Sequence, residues 1–169
     1  SSRGCPNNCT FCGSPAFWGR RVSFHSPSYF VDQLQLLYEN GIRFFYVSDD
    51  TFTLKKERVI QICQEILKRG LAISWAAISR VNLVDEEILL WMRKAGCTQI
   101  SYGVESGSEK IRNFLNKGIS GAQIREAFHL TQQLGIMARG YFIYGSPGED
   151  WDTIEETLRM IREIKPLSA

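Results

Sequence analysis

The sequence predicts an α/β fold organised on a parallel β-sheet, and three observations carry that expectation. Short β-favouring runs alternate with longer amphipathic runs at intervals of roughly 25 to 40 residues. Four of the amphipathic runs close on a glycine, at Gly41, Gly70, Gly96 and Gly135. Polar and charged residues gather just beyond the β-favouring runs, at Asp49, Asp50, Arg80, Glu105 and Glu149. Parallel strands need crossovers of one hand, so such a sheet must curl or be covered on both faces. In α/β barrels and open parallel sheets, ligands bind at the strand ends where these polar residues fall.

The elements follow in order. A polar and aromatic loop spans residues 12–25. Ser26 then reads as an N-cap with Pro27 at the first helical position, and the helix runs to about Asn40. Ile42 to Val47 is a strand, stopped by Ser48-Asp49-Asp50-Thr51. Lys55 to Arg69 carries Val59, Ile62, Cys63, Ile66 and Leu67 at helical spacing. Ala72 to Ile78 is a strand, and Asp85 caps a helix to Ala95. Thr98 to Val104 is a strand followed by Glu105-Ser106-Gly107-Ser108. Ser120-x-x-Gln123 is a capping-box pattern opening a helix to Leu134. Ile136 to Tyr144 is the next strand, and Trp151 to Ile164 a last amphipathic helix.

The 169 residues, 44% hydrophobic and 22% charged, suffice for one domain with a substantial core. A net charge of +2 gives no sequence support for a nucleic-acid partner, and no apolar run is long enough to span a membrane. No strand precedes the first helix and none follows the last. The chain is therefore expected to be an excerpt, one domain over residues 1–169 incomplete at both ends. Five cysteines, three of them crowded at the start, do not form a secreted disulfide framework. They suit a reducing, cytoplasmic setting.

Cys5, Cys9 and Cys12 stand at the spacing Cys-x3-Cys-x2-Cys among the turn formers Gly4, Pro6, Asn7 and Asn8. Three thiolates without a nearby fourth suggest a metal centre with one open coordination position. Zinc is the common intracellular alternative, but a closed structural site needs a fourth ligand. A redox pair of Cys9 and Cys12 would leave Cys5 unexplained. An iron–sulfur electron carrier or sensor and a zinc-stabilised binding module both remain open on spacing alone.

The run Arg3-Gly-Cys-Pro-Asn-Asn-Cys-Thr-Phe-Cys12 resembles the Cys-x3-Cys-x-aromatic-Cys signature of the radical S-adenosylmethionine (SAM) enzymes. The resemblance continues through Ser48-Asp-Asp-Thr-Phe-Thr53, Tyr102-Gly-Val-Glu-Ser-Gly-Ser108 and Ile143-Tyr-Gly-Ser-Pro-Gly-Glu149, in family order. It implies a partial TIM-like (β/α) barrel of six units, whose first and sixth strands are missing here. It implies that Cys5, Cys9 and Cys12 hold a [4Fe–4S] cluster and that SAM takes the open position. Reductive cleavage of SAM would then give a 5′-deoxyadenosyl radical that abstracts hydrogen from a small-molecule or macromolecular substrate. An external flavodoxin- or ferredoxin-type protein would supply the electron.

By the same resemblance, Phe11 lies against the adenine. Asp49, Asp50 and Thr51 occupy the segment that receives the SAM ammonium. Glu105 and Ser106 match the ribose segment, Lys117 a carboxylate-binding position, and Ile143 and Gly145 the segment that packs on adenine. The motif style is similar to that of the cobalamin-associated branch and of the methylthiotransferases, which leaves the reaction subclass open between methyl transfer, methylthio transfer and other radical reactions. The cobalamin signature Asp-x-His-x-x-Gly does not occur in the chain. Cobalamin would have to come from a domain outside it. Outside these motifs, Cys63 and Cys97 read as core residues, His25 and His129 as structural, and Asp150 as a helix cap.

Overall fold

The computed structural model describes residues 1–169. In chain order the elements are β1 (Ser2–Arg3), α1 (Ser14–Trp18), β2 (Ser23–Phe24), α2 (Pro27–Glu39) and β3 (Phe44–Val47). There follow α3 (Lys56–Lys68), β4 (Ser74–Ser79), α4 (Glu86–Lys94), β5 (Cys97–Glu105) and α5 (Glu109–Phe114). The chain continues through α6 (Gly121–Gln133), β6 (Met137–Phe142) and α7 (Trp151–Ile164). Strands β3, β4, β5 and β6 form one parallel sheet in sequence order, while β1 and β2 make a separate antiparallel pair.

Strand order that follows chain order, joined by right-handed crossovers, puts every helix on the same side of the sheet. Strand alternation confirms the division of faces. Phe45, Val47, Trp75, Ala77, Ile100, Tyr102 and Ala138 point into a buried core with Val59, Ile62, Ile88, Met92, Ile124 and Phe128 from the helices. On the other face Phe44, Tyr46, Met137 and Tyr141 remain 39–59% exposed. The sheet is therefore the wall of a partial barrel, with helices outside and an open face inside. Leu167 donates its N–H to the Ala138 carbonyl at 2.7 Å, and Gly140 to that of Ser168 at 3.1 Å, so residues 167–168 pair along the β6 edge.

The caps stand where the sequence predicts them. Ser26 accepts from the Tyr29 N–H, Asp85 from Ile88, and Ser120 and Asp150 close capping boxes with Gln123 and Thr153. Cys63 and Cys97 are fully buried, and burial pushes the Cys63 thiol up to about 12, so it is un-ionised at neutral pH. Three elements lie outside the sequence expectation. Residues 14–18 turn once as α1, residues 23–24 pair with residues 2–3, and Glu109–Phe114 forms α5. Each is too short to show a hydrophobic period.

The N-terminal segment is fixed by polar groups beneath it. Asp49 is 2% exposed, and its carboxylate accepts from the Ser1 and Ser2 hydroxyls and the Ser2 N–H at 2.6–2.9 Å. Arg58 donates to the carbonyls of Ser1 at 2.8 Å and His25 at 3.1 Å. Burial acts to raise the Asp49 carboxyl, but the hydrogen bonds outweigh it and hold the group below the usual carboxylate range.

A depressed carboxyl contributes stability that is complete above the ordinary aspartate value of about 4 and is lost as pH falls through the depressed one. Urea midpoints of the wild type should therefore drop more steeply on acidification below about pH 4 than those of Asp49→Asn. Parallel acid profiles would contradict the assignment. A second prediction concerns the turn into β5. Gly96 has φ +93°, and a Cβ there would sit 2.0 Å from the Ile73 carbonyl oxygen. At Gly118, φ is +62° with open space around the position. Gly96→Ala should cost about 3 kcal/mol or more in urea unfolding and Gly118→Ala about 1 kcal/mol. Equal losses would show that the close approach is relieved cheaply.

Candidate functional site

The cysteine loop lies over the carboxyl ends of the strands and is tied on two sides. Gly4 donates its N–H to Asp50 at 3.0 Å, beyond β3. Thr10 donates to the Leu115 carbonyl at 3.0 Å, and Asn116 to the Asn8 carbonyl at 2.8 Å, just past α5. These ties span the sheet from the β3 side to the β5 side and leave a cleft of about 210 Å³ beneath the loop. Cys5, Cys9, Cys12, Phe11, Asp50, Thr51, Glu105 and Lys117 line it.

Each sulfur meets a polar neighbour. Asn7 donates to the Cys5 Sγ at 3.2 Å, Arg80 to Cys9 at 3.4 Å and the Ser14 N–H to Cys12 at 3.4 Å. Thr51 Oγ1 lies 3.8 Å from Cys5 Sγ. Three sulfurs lining one cleft are donors of the kind that iron–sulfur centres use.

Opposite the sulfurs stands a buried ion pair. Lys117 Nζ donates to Glu105 Oε1 at 2.7 Å, with both side chains 7% exposed. The backbone aims this pair. Gly103 stands opposite Tyr141 and Glu105 opposite Phe142, so β5 carries an extra residue, a bulge just before Glu105. Glu105 has φ +67°, a conformation that costs a non-glycine residue about 1–3 kcal/mol. Gly103 leaves the room required, because a Cβ there would meet Glu105 Oε1 at 2.5 Å and Lys117 Nζ at 2.6 Å. Arg80 also donates to the Lys117 carbonyl, and the Lys117 ammonium lies 5.7 Å from the Phe11 ring centroid.

Four residues expected to contact the cofactor do not line this cleft. Asp49 is occupied beneath residues 1–2. Ser106 is fully buried, its hydroxyl 3.0 Å from that of Thr157 and accepting from the Ser108 N–H. Ile143 donates its N–H to the Glu105 carbonyl at 2.8 Å, and Gly145 occupies an exposed turn with φ +85°. Conversely Ile78, Ser79, Arg80, Gly103 and Tyr141 line the cleft although the motifs did not single them out. The signal for Arg80 was its place just beyond β4. The signal for Tyr141 was only its alternation with Met137 and Arg139.

With this geometry in place, comparison with known proteins is direct. The family description that matches, over residues 1–161, is the radical SAM superfamily. The chain is 40% identical over 165 residues to an uncharacterized methyltransferase of Pyrococcus horikoshii, covering 97% of this chain and 36% of that protein. It is 33% identical over 168 residues to the anaerobic magnesium-protoporphyrin IX monomethyl ester cyclase of Rubrivivax gelatinosus, covering 98% and 30%. The chain thus spans about a third of the length of these relatives. Among solved structures, the radical SAM methyltransferase TsrM of Kitasatospora setae, with cobalamin and a [4Fe–4S] cluster bound, superposes with a TM-score of 0.92 at 20% identity. That match covers 99% of this chain and 32% of TsrM and is a likeness of fold. The cobalamin-dependent radical enzyme OxsB, with aqua-cobalamin and SAM bound, gives 0.83 at 27% identity, covering 95% and 25%. Matched over residues 1–161, this chain belongs to the radical SAM superfamily, enzymes that use a [4Fe–4S] cluster and SAM.

Proposed function

We propose that residues 1–169 are the SAM-cleaving core of a longer enzyme, with Cys5, Cys9 and Cys12 as the cluster ligands. The observation that carries the reading is the convergence of three hydrogen-bonded sulfurs and the Glu105–Lys117 pair on one cleft. When bound, the cluster and SAM together supply a 5′-deoxyadenosyl radical able to take a hydrogen atom from a substrate. The chain's own residues position and enclose. Asp50 and Thr51 accept from the SAM ammonium, and Lys117 faces its carboxylate. Glu105 keeps Lys117 in place and accepts from the ribose hydroxyls. Phe11 covers the adenine. Asp49 and Ser106 hold the backbone of these segments, and Ile143 supports Glu105 through its N–H. Gly145 marks the turn at which the adenine segment ends.

The relatives extend the reading to the whole protein. TsrM and OxsB carry cobalamin, and the Pyrococcus relative is described as a methyltransferase. The proposed overall reaction is accordingly a methyl transfer or a related radical reaction, with cobalamin held by a domain beyond these residues. A flavodoxin- or ferredoxin-type donor supplies the electron, and a cytoplasmic setting keeps the thiols reduced. No helix of the chain is long and apolar enough to cross a membrane.

Anaerobic reconstitution with iron and sulfide should give a brown chain with about four irons that releases 5′-deoxyadenosine from SAM under reductant. Ala at Cys5, Cys9 or Cys12 should abolish iron retention, whereas Cys63→Ala, in the core, should keep it. Zinc retention without iron uptake, or full iron binding by the Cys9→Ala variant, would overturn the ligand assignment. A separate test addresses the ion pair. Gly103→Ala should retain iron but weaken SAM binding in equilibrium dialysis by about tenfold or more, since the added methyl displaces both charged groups. Wild-type affinity would show that SAM binding does not depend on the present placement of this ion pair.

A further inference from the structure

The inner face of the sheet carries a polar cluster that the SAM site does not use. Ser101 and Arg139 are neighbours in the register of β5 and β6, and Ser101 is also paired with Ile78, which lines the cleft. Tyr46 and Tyr141 reach toward each other over Ser101 from the two edge strands. Ser101 is 0% exposed and its hydroxyl has no hydrogen-bond partner, although both phenols face it. Buried hydroxyls without partners are uncommon and costly, and a ligand group is one means of satisfying them. Arg139 is half-buried and donates to the Ser168 hydroxyl at 2.6 Å, but no carboxylate pairs with it.

Burial, then the facing Tyr141, pushes the Tyr46 phenol up to about 12, so Tyr46 stays a donor at neutral pH. Around this polar centre the same face presents Phe44 and Met137, 59% and 45% exposed. An unpaired guanidinium, an unpartnered buried hydroxyl and two phenols within an apolar rim match an anionic group carried on an apolar body.

We propose that Arg139, Ser101, Tyr46 and Tyr141 form a substrate subsite for a carboxylate or phosphate, with the substrate's apolar body resting against Phe44 and Met137. Tyr141 belongs to both sites, so a substrate anchored at Arg139 reaches the mouth of the cofactor cleft. The assignment rests on the reading of that cleft as the SAM site, but it is testable without iron or SAM.

The test titrates benzoate, phenyl phosphate and the neutral benzyl alcohol into the iron-free chain, following amide resonances of Ser101 and Tyr141 and the binding heat. The anions should bind and benzyl alcohol should bind at least tenfold more weakly. The tighter of the two anions identifies the group as carboxylate or phosphate. Arg139→Gln should weaken anion binding at least tenfold, Arg139→Lys less, and Ser101→Ala and Tyr141→Phe severalfold. Arg125→Gln, on the outer helices, should leave it unchanged. Equal affinity for benzyl alcohol would overturn the subsite, as would anion binding that survives both Arg139→Gln and Ser101→Ala. Success here with failed SAM cleavage after reconstitution would refute the cleft reading alone, and the reverse pattern the subsite alone.

Discussion

The buried carboxylate of Asp49 decides where the cysteines stand. The loop from Gly4 to Gly13 offers few apolar groups, so hydrophobic burial cannot fix it. Its position is set instead by charge-assisted hydrogen bonds at its entry, with Asp49 and Arg58 gripping residues 1–2, and by backbone ties near α5 at its far side. A carboxylate with this many donors is worth its desolvation, whereas one left unpaired in the same place would be expelled. The cleft is the space between these two anchorages.

The sheet meets the loop with a second constraint. Beside an extra residue in β5, Glu105 takes a left-handed conformation, at a local backbone cost that its ion pair with Lys117 and the Ile143 hydrogen bond offset. Glycine at 103 belongs to the same arrangement, because a Cβ there would push aside the ends of both charged side chains.

Much of the framework was legible in the sequence because its signals are local. Ser26, Asp85, Ser120 and Asp150 are caps whose partners lie three residues away, and the glycine stops act within a turn. The cysteine motif announced itself for the same reason. What could not be read depends on orientation. Asp49 and Asp50 are adjacent and chemically alike, yet one points under the loop and the other into the cleft, a difference of one step in the backbone alternation. The turn of Arg80 toward Cys9 depends on how loop and sheet stack. The meeting of Tyr46 with Tyr141 over Ser101 depends on the curvature of four strands. Neither leaves a periodic trace in the chain.

The central claim is that three protein sulfurs and one open position define the metal centre. Mössbauer spectroscopy of the chain reconstituted with ⁵⁷Fe, recorded with and without SAM, addresses it directly. The predicted result is a [4Fe–4S] signal in which one iron, lacking a cysteine ligand, changes its isomer shift and quadrupole splitting when SAM is added while the others hold theirs. Spectra indifferent to SAM, with all irons in equivalent sulfur surroundings, would show a closed cluster and contradict the account.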